Sequence, residues 1–293
     1  MNEHGVITHL IVEASVTDEA YWPQATINPA HGVSFGIDIP SPPALEIAQF
    51  VLRPLEGLLA IYGLQGINKE HPAVEWIPEN DEEQSRLKLF SFQRRSIETD
   101  DAELRPLSFD LVARSVLAAF DARTIEVPLS FYRKGLIDCH EQRYIEAFYD
   151  FFFVLETVYG QGKFKKAALQ QAFKSSAALV EIVNRVVSDP EFMTVALRTR
   201  TLTDAYAQRF GKLSPEQILD ELVEIRGLLH HHSSANRTER SWNPDDHQRF
   251  ELEAVLIQQI AFGIVFRLAE PFVFDECHES TFLSLARTAT GGR

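Results

Sequence analysis

Arg226, His230, His231 and His232 are the residues of this chain whose types and spacing could do chemistry. A guanidinium is a permanent cation with a planar fork of donors, and histidine titrates near neutral pH. An arginine about one helical turn before histidines can therefore hold a phosphodiester while a proton moves beside it. Three consecutive histidines on a helix splay by roughly 100° each and cannot converge on one metal. No HExxH motif or second Cys/His pair assists them, so neither a metal nor another cofactor is expected. The plainer reading of the three is a solvated helix end near the C-terminal dipole. Arg226 tips the balance. A surface arginine ordinarily pairs with an acid three or four residues away, but those positions hold Leu222, Val223, Leu229 and His230. Glu221 and Glu224 point to other faces, so Arg226 reads as an anion ligand.

The element that must position them runs from Ser214 to Ser234. Ser214 suits an N-cap, Pro215 the first helical position, and Gln217 completes a capping box. Ile218, Leu222, Ile225 and Leu229 then make one apolar face. On a regular helix Arg226 faces His230 rather than His231. His231 converges with it only where the helix loosens, as the following Ser-Ser-Ala-Asn suggests, or across a dimer. The loop arginines Arg237 and Arg240 suit phosphate positioning, or are two solvated charges.

The 293 residues are enough for one large domain or two ordinary ones, each with a sizeable core. A net charge of −14 argues against a general nucleic-acid coat. Residues 1–105 carry 17 acidic against 7 basic side chains, and residues 106–293 carry 25 against 21. Between Arg226 and Arg249 the balance tips the other way, with four arginines, four histidines and only three acids. Any anion should be handled there. No run approaches the ~18 apolar residues of a membrane span, and the start lacks a signal-peptide pattern. Cys139 and Cys277 give neither a disulfide framework nor a metal spacing. A reducing compartment, the cytoplasm, is expected.

The spacing predicts an α+β protein: a mixed domain over 1–106, then an all-α antiparallel helical bundle over 107–293. In the first part, Val6–Val16, Val33–Ile39, Ala73–Ile77 and Arg86–Ser96 read as strands, with the acidic ENDEEQS as a solvated hairpin loop. Ala44–Tyr62 reads as a helix interrupted by Pro54. From Phe109 on, helices are expected over 109–122, 129–140, 143–159, 164–187, 192–210 and 245–269, the last ending at Pro271. Arg143–Tyr159 is apolar on nearly every side and reads as the central helix. Its Asp150 and Glu156 need partners if they face inward.

A helical bundle whose late helix carries an arginine and then a histidine after four to six residues resembles the HEPN superfamily. His231 satisfies the Arg-x4-His spacing from Arg226 and His232 the x5 spacing, while His230 falls one short. LSFYRKGLIDCHEQRYIEAFYDFFFVLETVYG, 129–160, looks like the early helices of the Apea-like HEPN branch. The resemblance covers 107–293 and departs at Gly227, where active members often carry a polar residue. It implies a metal-independent endoribonuclease acting on RNA, conditional as in a defence or toxin-like effector. It also implies a homodimer with two Arg/His motifs across one cleft. RNA supplies its own nucleophile in the 2′-OH, so the protein needs proton acceptor, proton donor and a cation. His231 would move the proton, Arg226 would stabilise the phosphorane-like oxygens, and His232 or His230 would fill the second role. Asp150, Glu156 and Glu224 are candidates to orient a histidine. The rival readings are a HEPN-like binding or dimerisation module without catalysis, and a ligand-sensing regulator.

Overall fold

The computed structural model describes residues 10–13, 15–28, 34–38, 43–64, 66–67, 73–87, 91–93, 107–188, 193, 196–197, 199–230 and 247–273. The chain divides into two compact units, Met1–Leu52 with Gly66–Val112, and Arg53–Gln65 with Ala113–Arg293.

In the first unit, β1 (Gln24–Asn28) pairs antiparallel with β2 (Ser34–Asp38), placing Ala25 opposite Ile37 and Ile27 opposite Phe35. Helix α1 (Pro43–Ala60) begins here and runs on into the second unit, continuous through Pro54. β3 (Ala73–Glu75) and β4 (Ser91–Gln93) form a second antiparallel ribbon. The two ribbons do not join into one sheet among the described residues. Among the described residues the expected α+β domain is therefore corrected to two separate two-stranded ribbons with helices, because an alternating stretch needs neighbouring strands to become a sheet. Of Val6–Val16, the described residues hold no strand, and Leu10, Ile11 and Val12 are exposed.

ENDEEQS is also corrected. It contains a helix, α2 (Asp81–Arg86), whose N-cap Asn80 accepts the Glu83 N–H at 2.9 Å. Three acids in the first turn suit the positive end of the helix dipole, and charge density alone conceals this. Arg86 closes the turn, ion-paired to Glu19 with its guanidinium 5.4 Å over the Trp22 ring.

The second unit is a helical bundle. It comprises the end of α1, α3 (Phe109–Ala118, from Ala113 on), α4 (Glu126–His140), α5 (Tyr144–Tyr159), α6 (Lys166–Ser175) and α7 (Ala177–Ser188). It continues with α8 (Arg200–Arg209), α9 (Pro215–His230) and α10 (Glu251–Val273). As expected, α5 is central, packing on α4 and α10, with Phe148, Phe151, Phe152 and Leu155 fully buried. Each such side chain contributes about 2 kcal/mol by leaving water. Gly135 lets α4 approach, since a Cβ there would sit 2.6 Å from the Phe151 ring.

Several helix limits differ from the spacing: the helix expected over 109–122 stops at Ala118, the one expected over 129–140 starts at Glu126, and within 192–210 a helix starts at Arg200 behind its Thr199 N-cap. The predicted 164–187 helix breaks at Ser176, whose hydroxyl accepts the Leu179 N–H at 3.3 Å and starts α7. The last helix continues through Pro271 to Val273. Together with the turn before it, His247–Val273 is long and apolar enough to cross a membrane, yet 56% of its apolar window is buried in the bundle. Core packing explains its apolar character.

Candidate functional site

Helix α9 forms as its sequence dictates. The Ser214 N–H donates to Gln217 Oε1 at 2.8 Å, and the Gln217 N–H donates to Ser214 Oγ at 3.3 Å. This is the reciprocal capping box. Ile218, Leu222, Ile225 and Leu229 are all buried and anchor the helix on its apolar face. That anchoring fixes the direction in which Arg226 leaves the flank.

Arg226 reaches the central helix. Its Nη2 lies 3.6 Å from Glu156 Oε2, and both side chains are 23% exposed. Its Cζ stands 5.8 Å from the Phe152 ring centroid, within cation–π range. The acid that same-helix spacing does not supply thus comes from α5. At 3.6 Å this is an ion pair without a hydrogen bond, and no hydrogen bond takes up the Arg226 N–H donors among the described residues. Tyr149 feels the same cation: burial pushes its hydroxyl up to about 12, while Arg226 pulls it the other way.

Arg226 lines a pocket of about 740 Å3, together with Gly227, Lys165, Lys166, Arg209 and Glu253. Five basic side chains line it against three carboxylates, in a chain whose net charge is −14. A Cβ added at Gly227 would meet nothing within 4 Å, so that position is open. Lys166 is ion-paired to Glu224. Arg209 ties the pocket together, joining Glu253 Oε1 through Nη1 and Glu221 Oε1 through Nη2 at 3.1 Å. Burial works against the Arg209 charge, but Glu253 and Glu221 outweigh it and hold its pKa above the usual guanidinium value. Glu253 is only 3% exposed, and its Oε2 has no hydrogen-bond partner among the described residues. A buried acceptor left unmet costs about 1–3 kcal/mol.

The other expected site residues fall unevenly. His230 is the last residue of α9. His231, His232, Arg237 and Arg240 lie outside the described residues. Asp150, a candidate to orient a histidine, instead accepts from Lys134 Nζ at 2.6 Å, which also reaches Asp138 at 3.0 Å. Arg143 closes that cluster on Asp138. Glu224 is engaged by Lys166, and Glu156 by Arg226. No group of three His, Cys, Asp or Glu that could hold a metal occurs among the described residues.

Arg209, Glu221 and Glu253 escape sequence reasoning. The one available signal is Glu253 itself, a carboxylate between Leu252 and the apolar run Ala254–Ile257, which must find a partner to be buried. No family model matches the sequence, and neither the curated proteins nor the solved structures contain a match.

Proposed function

We propose that this protein is a metal-independent endoribonuclease of the HEPN type, conditional in its activity, as in a defence or toxin-like effector. One observation carries the reading. Arg226 is anchored by Glu156 and Phe152 at a pocket where five basic side chains face three carboxylates, yet its N–H donors are not spent on hydrogen bonds among the described residues. A guanidinium held in place with donors to spare is what a bidentate phosphate contact requires.

The chemistry follows from the residue types. The RNA 2′-OH attacks the adjacent phosphorus as His231 accepts its proton, and the 5′-oxygen leaves as His232 or His230 returns one. Arg226 neutralises the charge that grows on the non-bridging oxygens. Arg237 and Arg240 hold neighbouring phosphates. In a homodimer, Arg226 of one copy can serve His231 of the other, which removes the spacing problem of a regular helix.

A HEPN-like binding or dimerisation module is the second reading. The Arg226–Glu156 pair favours it, because a carboxylate beside the arginine competes with phosphate, and Gly227 adds no polar group. Incubation with total RNA and tRNA in EDTA separates the two. Cutting by wild type and not by Arg226→Ala or His231→Ala is expected. Binding of RNA without cutting would leave the module.

A further inference from the structure

Glu253 combines three properties rarely found together. It is 3% exposed, it lines the Arg226 pocket, and one of its two carboxylate oxygens lacks a hydrogen-bond partner among the described residues. The other oxygen receives Arg209, whose guanidinium is itself pinned to Glu221, so the carboxylate is fixed in direction. Apolar side chains line the same pocket, including Val223, buried Phe250 and solvent-facing Phe164, which is 69% exposed. A flat apolar ring with hydrogen-bond donors along one edge would satisfy both kinds of surface.

We propose that this pocket receives an unpaired guanine base next to the cleaved phosphate, and that Glu253 sets the preference. The inference rests on the ribonuclease reading for the placing of that phosphate by Arg226. Guanine is singled out by its Watson–Crick edge, where N1–H and N2–H lie side by side as two donors. A carboxylate carries the matching pair of acceptors: Oε1 keeps a lone pair beyond the one given to Arg209, and Oε2, closed to solvent in this structure, is uncovered when the base enters. Adenine and cytosine set a ring acceptor beside their amino group, and uracil flanks its one N–H with two carbonyls. Each would turn a lone pair toward the Glu253 carboxylate. Stacking on Phe164 would add affinity for any base, without choosing among them.

The test is titration of the full chain in EDTA with 5′-GMP, AMP, CMP and UMP, followed by calorimetry. GMP is expected to bind about tenfold or more tightly than UMP, the discrimination of one good bidentate pair. Glu253→Gln should abolish that preference, whereas Phe164→Ala, at an exposed position, should weaken all four by a similar factor. Thermal melting shows whether the Gln variant is folded; if it is not, the wild-type ranking decides alone. Equal binding of the four nucleotides, binding of none, or a guanine preference that survives in a folded Glu253→Gln overturns the proposal. Guanine preference in a chain that does not cut RNA supports the base pocket and sinks the nuclease reading. Cutting without guanine preference sinks the pocket alone.

Discussion

Arg226 Nη2 stands 3.6 Å from Glu156 Oε2, so a cation on α9 and a carboxylate on α5 meet across the bundle without sharing a hydrogen bond. Solvent reaches 23% of each side chain, which leaves the pair partly shielded from screening by salt. The arrangement aims the guanidinium past Phe152 and keeps a negative charge beside the proposed phosphate position. Glu156 therefore both orients Arg226 and opposes its ligand.

Glu156→Gln separates those roles, because it keeps the shape and removes the charge. RNA affinity should rise a few-fold, while the urea midpoint should fall by the equivalent of about 0.5–1 kcal/mol. Fluorescence anisotropy with a labelled single strand and a denaturation curve measure the two. Weaker RNA binding would mean that orientation outweighs competition.

Two helical glycines should respond in opposite ways to alanine. Gly227 has open space where the new methyl would go, so Gly227→Ala should stabilise the protein by about 0.5–1 kcal/mol through helix propensity alone. At Gly135 the methyl would meet Phe151 at 2.6 Å, in a fully buried part of the core. Gly135→Ala should cost about 1–3 kcal/mol. Thermal melts of the two variants check the contrast, and a destabilised Gly227→Ala would show that the glycine is required there.

Asp150 gives a pH dependence with a defined sign. Burial, and then the hydrogen bond shared with Asp138, push its carboxyl up to about 6, against the pull of Lys134. The unfolded carboxyl titrates near 3.8, so the folded protein holds this proton more tightly. Its contribution to stability is largest below that value and declines as pH rises toward 6, by up to about 1.4 kcal/mol per pH unit. Asp138 works at lower pH. Burial opposes its charge, but hydrogen bonds from Asp150, Arg143 and Lys134 outweigh burial and hold it below its usual value. Urea curves at pH 4.5 and 6.5 should show that Asp150→Asn removes the Asp150 slope. An unchanged difference between the two pH values would contradict this assignment.

What was legible in the chain is what a short window determines. The Ser214/Gln217 capping box and the buried Ile218, Leu222, Ile225 and Leu229 follow from local spacing, as does the all-round apolar α5. Long-range pairings were not legible. Same-helix arithmetic leaves Arg226 without an acid because it cannot see Glu156, and nothing in the spacing joins Arg209 to Glu253. Helix punctuation misled in both directions. Ser176 breaks a helix that periodicity runs through, by capping the next one, while Pro54 and Pro271 sit inside helices whose burial outweighs one lost hydrogen bond. In ENDEEQS, acidity suggested a loop, whereas Asn80 and the helix dipole make it a capped turn of helix.

The most direct test of the central claim is the chemistry of the cut ends. RNA is incubated in EDTA with wild type, Arg226→Ala and His231→Ala, each checked by melting to be folded, and the product termini are analysed. Attack by the 2′-OH predicts 2′,3′-cyclic phosphate and 5′-hydroxyl ends with wild type, and a loss of about a hundredfold or more in either variant. Products with 3′-hydroxyl and 5′-phosphate ends, or equal cutting by all three proteins, would contradict a nuclease built on Arg226 and His231.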